Sequence, residues 1–132
     1  RALNQDHVRR AALLGIDAAE DSGGIIRYGD LDLAGLTALL DEGFIHPQAQ
    51  QNDAPPTTAF FQLMTAWPEL RASGYAVSPH RPDYRTMIDG LSVDFTVLPA
   101  PRAAALRAEL EALAASATNT ELDDDSAHLW WT

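Results

Sequence analysis

The chain has 132 residues, of which 46% are hydrophobic and 21% charged, a balance that suits one folded domain and excludes disorder over most of its length. Nineteen acidic residues against nine basic ones give a formal charge of −10, which disfavours binding to the nucleic-acid backbone or to an anionic membrane surface. The absence of cysteine excludes disulfides, thiolate metal sites and cysteine nucleophiles.

The first quarter of the chain predicts one helix followed by one strand. Asp6 is a favourable N-cap for a first helix that extends to about Glu20, and the Ser-Gly-Gly run at 22–24 then ends it. The β-prone residues 25–28 predict a short strand at the edge of a sheet.

Two further helices are predicted before residue 70. Asp30 or Asp32 begins the second helix, which extends through Glu42, because Gly43 suits a left-handed C-terminal cap. The polar loop at 46–56 is long for a compact domain. Thr57 or Thr58 begins the third helix, and the proline at position 68 limits it.

A β-hairpin is predicted around Asp89-Gly90, the preferred residue pair for a two-residue type I′ turn. Folding the chain about this pair places Ile88 opposite Leu91 on an apolar face. It also places Arg85 opposite Asp94 on a polar face, as a matched cross-strand charge pair. Turn, pattern and charge agree on this register.

The remaining segments complete the predicted domain. Residues 75–78 predict another strand, and a fourth helix begins near Pro101. Residues 1–117 are therefore expected to form a single domain, and residues 118–132 an acidic tail that ends in an aromatic segment. We expect a two-layer α+β fold, in which about four helices cover one face of a small antiparallel sheet of three or four strands.

The sequence predicts neither a metal site nor a cofactor. The four histidines are far apart and show no metal-ligand spacing; they are His7, His46, His80 and His128. The chain contains no phosphate-binding P-loop, no G-x-G-x-x-G dinucleotide motif and no G-x-S-x-G nucleophile motif.

The connection before the hairpin concentrates positive charge on an acidic chain. Its candidate ligand-binding residues are His80, Arg81, Tyr84 and Arg85. Because guanidinium groups bind carboxylate and phosphate well, these residues predict a site for a small anion or an acidic protein segment. In the competing, structural interpretation Arg81 pairs with Asp83 and Arg85 with Asp94.

Trp130 and Trp131 are the candidate interface residues. If they lie in a strand, one side chain enters the core and the other meets a partner, whereas a short helix would bury both. A domain of this size has limited interior for its aromatic side chains. We therefore predict a homodimer with Trp130 and Trp131 at or near the contact.

These features favour a cytoplasmic binding or interaction module without enzymatic activity, which binds neither nucleic acid nor membrane. The alternative is a small hydrolase or isomerase that uses His80 and Asp83 in acid–base chemistry. A winged-helix nucleic-acid binder fits the order of elements loosely, but the second predicted helix carries no basic residue and the third offers only Arg71 near its end.

Overall fold

A computed structural model describes residues 2–132 of the chain. These residues form an α+β domain with α1 at His7–Leu14, β1 at Ile25–Leu31, α2 at Leu33–Asp41, α3 at Thr57–Ala66, β2 at Arg71–Val77, β3 at Thr86–Asp94, α4 at Ala100–Ala114, β4 at Asn119–Leu122 and β5 at Ser126–Trp130. Short 3-10 turns occur at Ala18–Glu20 and Phe95–Val97. Within this range, no helix combines the length and the apolar character needed to cross a membrane.

Side-chain caps begin the first two helices where the sequence predicts them. Asp6 and Asp32 each accept a hydrogen bond from a backbone N–H in the first turn of α1 and α2. The predicted end of the first helix is wrong, because α1 stops at Leu14 and not near Glu20. Gly15 adopts a φ of 69°, and this left-handed residue caps the helix well before the expected end.

The five strands form one antiparallel sheet in the order β1-β2-β3-β5-β4. The sheet is larger than the predicted three or four strands, because the segment expected to be an acidic tail forms β4 and β5. β5 pairs with the second half of β3, from Gly90 opposite Trp130 to Asp94 opposite Ser126. Two of the five strands are therefore formed by residues whose composition alone predicts a solvated tail.

The predicted hairpin at Asp89-Gly90 is wrong, because β3 passes through this pair as one continuous strand. Gly90 lies between Ser73 of β2 and Trp130 of β5. The pairing of β2 with β3 omits Asp89, which is the extra residue of a β-bulge.

A bulge satisfies the same apolar pattern as a turn. Ile88 and Leu91 are three residues apart, so a regular strand would place them on opposite faces of the sheet. One extra residue at Asp89 puts both side chains in the same core. Arg85 and Asp94 consequently lie at the two ends of β3 and do not face each other, so the predicted charge pair is absent.

Each α-helix of residues 2–132 contributes buried apolar side chains to one core on one face of the sheet. From the sheet, this core includes Ile88, Leu91, Leu129 and Trp131. On the other face Tyr75, Val77 and Met87 form a separate small cluster, which Ala49 contacts from the loop between α2 and α3. We call this second side the open face. The strand register places on it Arg27, Ser73, Tyr75, His128 and Trp130, and the contact with Arg27 places Asp89 there as well.

Candidate functional site

The loop between β2 and β3 brings two of the predicted ligand-binding residues together. Arg81 donates from Nε and Nη2 to the two carboxylate oxygens of Asp83, at 2.8 and 2.7 Å. Arg85 donates from Nη1 to the same carboxylate at 3.1 Å. These contacts, chiefly the hydrogen bonds from Arg81, lower the pKa of Asp83. One aspartate therefore partly neutralises both arginines, and Asp94 instead accepts from the backbone N–H of Thr96.

The other two predicted residues lie outside this cluster. The side chain of His80 is 77% exposed, and its Nε2 atom lies 3.5 Å from Oδ2 of Asp21. Tyr84 is buried, and its hydroxyl donates to the backbone oxygen of Asn4 at 2.7 Å. Tyr84 therefore packs under α1 and does not present its hydroxyl to a ligand.

The geometry around His80 does not assemble the acid–base pair of the alternative function. In residues 2–132, Asp21 is the only carboxylate within ion-pair distance of His80. Hydrogen bonds from the backbone N–H of Gly23 and the hydroxyl of Ser78 lower the pKa of Asp21. The cavity beside Asp21 measures about 20 Å³, which holds one water molecule and no substrate.

Arg10 is a buried cation that the sequence analysis missed. Its guanidinium donates to the backbone oxygen of Val77 at 2.9 Å and stacks 4.4 Å from the ring centroid of Tyr84. Within residues 2–132 no carboxylate lies within ion-pair distance of it, and burial lowers the pKa of Arg10. These contacts attach α1 to the ends of β2 and β3, so the role of Arg10 is structural.

The open face contains a groove of about 410 Å³, here called the Asp89 groove. Its lining includes Arg27, Ser73, Asp89, His128, Trp130 and Thr132. The side chain of Asp89 is only 9% exposed and accepts a hydrogen bond from Nη2 of Arg27 at 2.7 Å. A half-exposed arginine, a buried carboxylate and an indole ring thus converge on one concavity.

The Asp89 groove is not predicted from the sequence, because the Asp89-Gly90 pair favours a turn. The usable signal was the three-residue spacing of Ile88 and Leu91, which a bulge explains as well as a hairpin does. A bulge residue often carries a redirected side chain at a functional site. Arg27, 62 residues earlier in the chain, gave no local signal of its contact with Asp89.

The two candidate interface residues lie in or beside β5 and have opposite environments. Trp131 is 1% exposed and contacts Phe60 edge-to-face, with ring centroids 5.8 Å apart. Trp130 is half-buried on the open face, where its ring lies 4.5 Å from that of His128. The homodimer stays a prediction, and Trp130 is the residue that keeps an accessible surface for it.

Only a minority of the acidic side chains have a basic side chain beside them. Of the nineteen acidic residues, those within ion-pair distance of a basic side chain in the described range are Asp21, Glu42, Glu69, Asp83 and Asp89. Most carboxylates therefore lack a neighbouring cation from residues 2–132, and they generate a negative potential around the domain. The same range contains no cluster of three or more side chains arranged to hold a metal ion.

Comparison of the chain with models of protein families, with curated proteins and with solved structures finds no match. Function is therefore inferred from the geometry and charge of the chain itself.

Proposed function

We propose that this protein is a non-enzymatic binding module that uses the open face of its sheet to bind a positively charged protein partner. The observation that supports this most strongly is the partly exposed Trp130 beside buried Asp89, on a sheet face that no helix of residues 2–132 covers. Tryptophan, tyrosine and arginine are the residue types that dominate binding energy at protein interfaces. Of these types the open face presents Trp130, which is half-buried, whereas Tyr75 is buried beneath the loop between α2 and α3 and Arg27 is paired with Asp89.

Charge supports a basic partner. The formal charge of −10 attracts cations over a distance of several ångströms and repels polyanions. Electrostatic complementarity of this kind accelerates association and discriminates against partners of the wrong sign. The buried carboxylate of Asp89 places a negative charge within the open face itself.

The test measures binding of two labelled peptides of equal length, oligo-arginine and oligo-glutamate, to the full chain by fluorescence anisotropy. We expect oligo-arginine to bind, with an affinity that falls as salt is added, and oligo-glutamate not to bind. Any acidic protein attracts a polycation, so binding of oligo-arginine alone is not decisive. The decisive comparison is between Trp130→Ala and a control variant, Val8→Ala, because Val8 is an exposed residue of α1. Trp130→Ala is expected to weaken binding by about tenfold. Equal affinities of the two variants contradict the proposal.

A second candidate follows from the loop at Arg81 and Arg85. Asp83 holds the two guanidinium groups side by side, and each arginine side chain is about 40% exposed, at 41% and 40%. This arrangement supports recognition of an acidic segment or a small anion, as the sequence predicts. Binding of oligo-glutamate that is lost in Arg81→Gln would favour this candidate over the open face.

A second copy of the chain is the competing occupant of the open face. Sedimentation of the full chain and of Trp130→Ala separates the two uses. A dimer that dissociates in this variant would assign the open face to self-association. A monomer that binds oligo-arginine supports the basic partner.

A further inference from the structure

We propose that the Asp89 groove is a subsite for one guanidinium or ammonium group of the partner, and that Arg27 occupies the same carboxylate when no partner is bound. This inference rests on the proposed function and names the chemical group that the open face recognises. It is carried by the burial of Asp89, by the single contact that Arg27 makes to it, and by the indole ring beside it.

Burial makes Asp89 a site that requires a cation. Its side chain is 9% exposed. Asp89 lies on the central strand β3, at the bulge that interrupts the pairing of β3 with β2. A buried carboxylate without a positively charged partner is strongly destabilising, because it has lost its water and gained nothing in exchange. The backbone at Asp89 is itself held by the neighbouring strand, since its carbonyl oxygen accepts from the N–H of Trp131 at 2.8 Å.

Arg27 satisfies Asp89 only in part. One nitrogen, Nη2, donates to one oxygen, Oδ1, at 2.7 Å. Within residues 2–132 no group donates to Oδ2, and 9% of the Asp89 side chain remains exposed. The strongest arginine–carboxylate contacts use two parallel hydrogen bonds, so the carboxylate has capacity for a further donor.

The position of Arg27 also allows an external cation to replace it. Its side chain is 58% exposed and projects from β1, an edge strand of the sheet. Exchange of Arg27 for an external cation leaves Asp89 paired, and the half-exposed guanidinium of Arg27 returns to water at little cost. A cation from outside therefore competes with Arg27 at small energetic cost.

The wall of the groove suits a cation. Trp130 lines the groove, and tryptophan attracts a guanidinium or ammonium group to its ring face more strongly than any other side chain. The groove volume of about 410 Å³ lies in the range of sites that enclose small ligands, so it accommodates the aliphatic stem of arginine or lysine.

The experiment titrates the full chain with N-acetylarginine amide and observes backbone amide shifts by NMR. N-acetylcitrulline amide, which has the same shape without the charge, is the matched ligand control. We expect the arginine ligand to shift Ser73, Asp89 and His128, and the citrulline ligand to shift none of them.

Arg27→Ala removes the internal competitor, so the affinity of this variant for N-acetylarginine amide should rise by at least about two- to fivefold, the factor that even an exposed ion pair is worth. Arg9→Ala is the matched control, because Arg9 pairs with Glu42 away from the groove and should leave the affinity unchanged. Asp89→Asn should weaken binding by about tenfold or more. If Asp89→Asn does not fold, the comparison of Arg27→Ala with Arg9→Ala decides the result alone.

Equal affinities in Arg27→Ala and Arg9→Ala, or shifts of the same residues by the citrulline ligand, overturn the subsite. If N-acetylarginine amide does not bind at Asp89 but oligo-arginine still binds in a way that depends on Trp130, the subsite is wrong and the proposed function is retained. A subsite that binds N-acetylarginine amide in a chain that does not bind oligo-arginine supports the inference about Asp89 and contradicts the proposed protein partner.

Discussion

Trp130 and Trp131 are adjacent in sequence and lie on opposite faces of the same sheet. Trp131 is enclosed on the helix-covered face, where its Nε1–H donates to the hydroxyl of Ser116 at 3.2 Å. Trp130 lies on the open face against His128, with part of its ring accessible. The covered face is packed by the apolar side chains of four helices of residues 2–132, whereas the open face combines charged and aromatic groups with few apolar neighbours. The covered face therefore supplies the packing of the domain, and the open face carries the surface proposed for recognition.

The largest expected difference between the faces is in the free energy of unfolding. Trp131→Ala should cost about 3–5 kcal/mol, because it removes a fully buried aromatic ring and leaves a cavity beside Phe60. Trp130→Ala should cost about 1 kcal/mol or less, since its ring is already partly hydrated. Urea denaturation of the two variants measures both values, and equal losses contradict the division between the faces.

The second comparison is between two glycines, Gly74 and Gly90, which differ in what an added Cβ would contact. A Cβ at Gly74 would overlap the backbone oxygen of Met87, so Gly74→Ala should destabilise the fold by about 1–3 kcal/mol. A Cβ at Gly90 would meet the hydroxyl of Ser73, a side chain that can be removed. Gly90→Ala should therefore lose most of its cost in the Ser73→Ala background, where the closest remaining contact is with the backbone oxygen of Leu129 at 3.3 Å, and Gly74→Ala should keep its cost. Thermal unfolding of the single and double variants tests this, and a Gly90→Ala loss that persists without the Ser73 hydroxyl would contradict it.

Arg10 and Arg9 provide a third contrast, between a buried and an exposed arginine on one helix. Arg10→Met should cost about 1–3 kcal/mol, because the buried backbone oxygen of Val77 loses its donor. Arg9→Met should change stability by about 0.5 kcal/mol or less, since its salt bridge to Glu42 is exposed. Denaturation of both variants at equal salt measures the difference. A neutral Arg10→Met would indicate that α1 does not depend on this guanidinium.

The smallest expected effect is the pH dependence of the Asp83 cluster. Contacts from Arg81 and Arg85 hold the pKa of Asp83 below its ordinary value of 3.8, so folding favours the ionised carboxylate. Its contribution is present above about pH 4 and is lost as the pH falls through the lowered folded-state pKa. The melting temperatures of the native protein and Asp83→Asn should differ at neutral pH and converge in acid. A constant difference across this range would show that the loop is held without the charge.

Local signals predicted most of the helices. The caps at Asp6 and Asp32 and the left-handed Gly43 operate within one turn of the chain, so they are legible without knowledge of distant contacts. The strand at Ile25–Leu31 was likewise expected near its position. The fold class, α+β with an antiparallel sheet, was also predicted, although the hairpin at Asp89-Gly90 on which the antiparallel pairing depended does not form.

The candidate site was less accessible to sequence reasoning. Arg81 and Asp83 are two residues apart, and their contact was foreseen as a structural pair. Asp89, Arg27 and Trp130 come from three separate segments, and only the register of β1, β2, β3 and β5 brings them together. No local pattern encodes such a register when one of the strands resembles a charged tail.

The sequence by itself determined where helices begin and which residues alternate between apolar and polar. It did not determine whether Asp89-Gly90 reverses the chain. A type I′ turn is favoured by the local preferences of two residues, whereas β3 is held by β2 on one side and β5 on the other. Once both neighbours pair with β3, their backbone hydrogen bonds and the burial of Leu91 and Val93 keep the chain extended. Only the tertiary structure supplies those neighbours, and this is why a preferred turn pair became the bulge that positions a buried carboxylate.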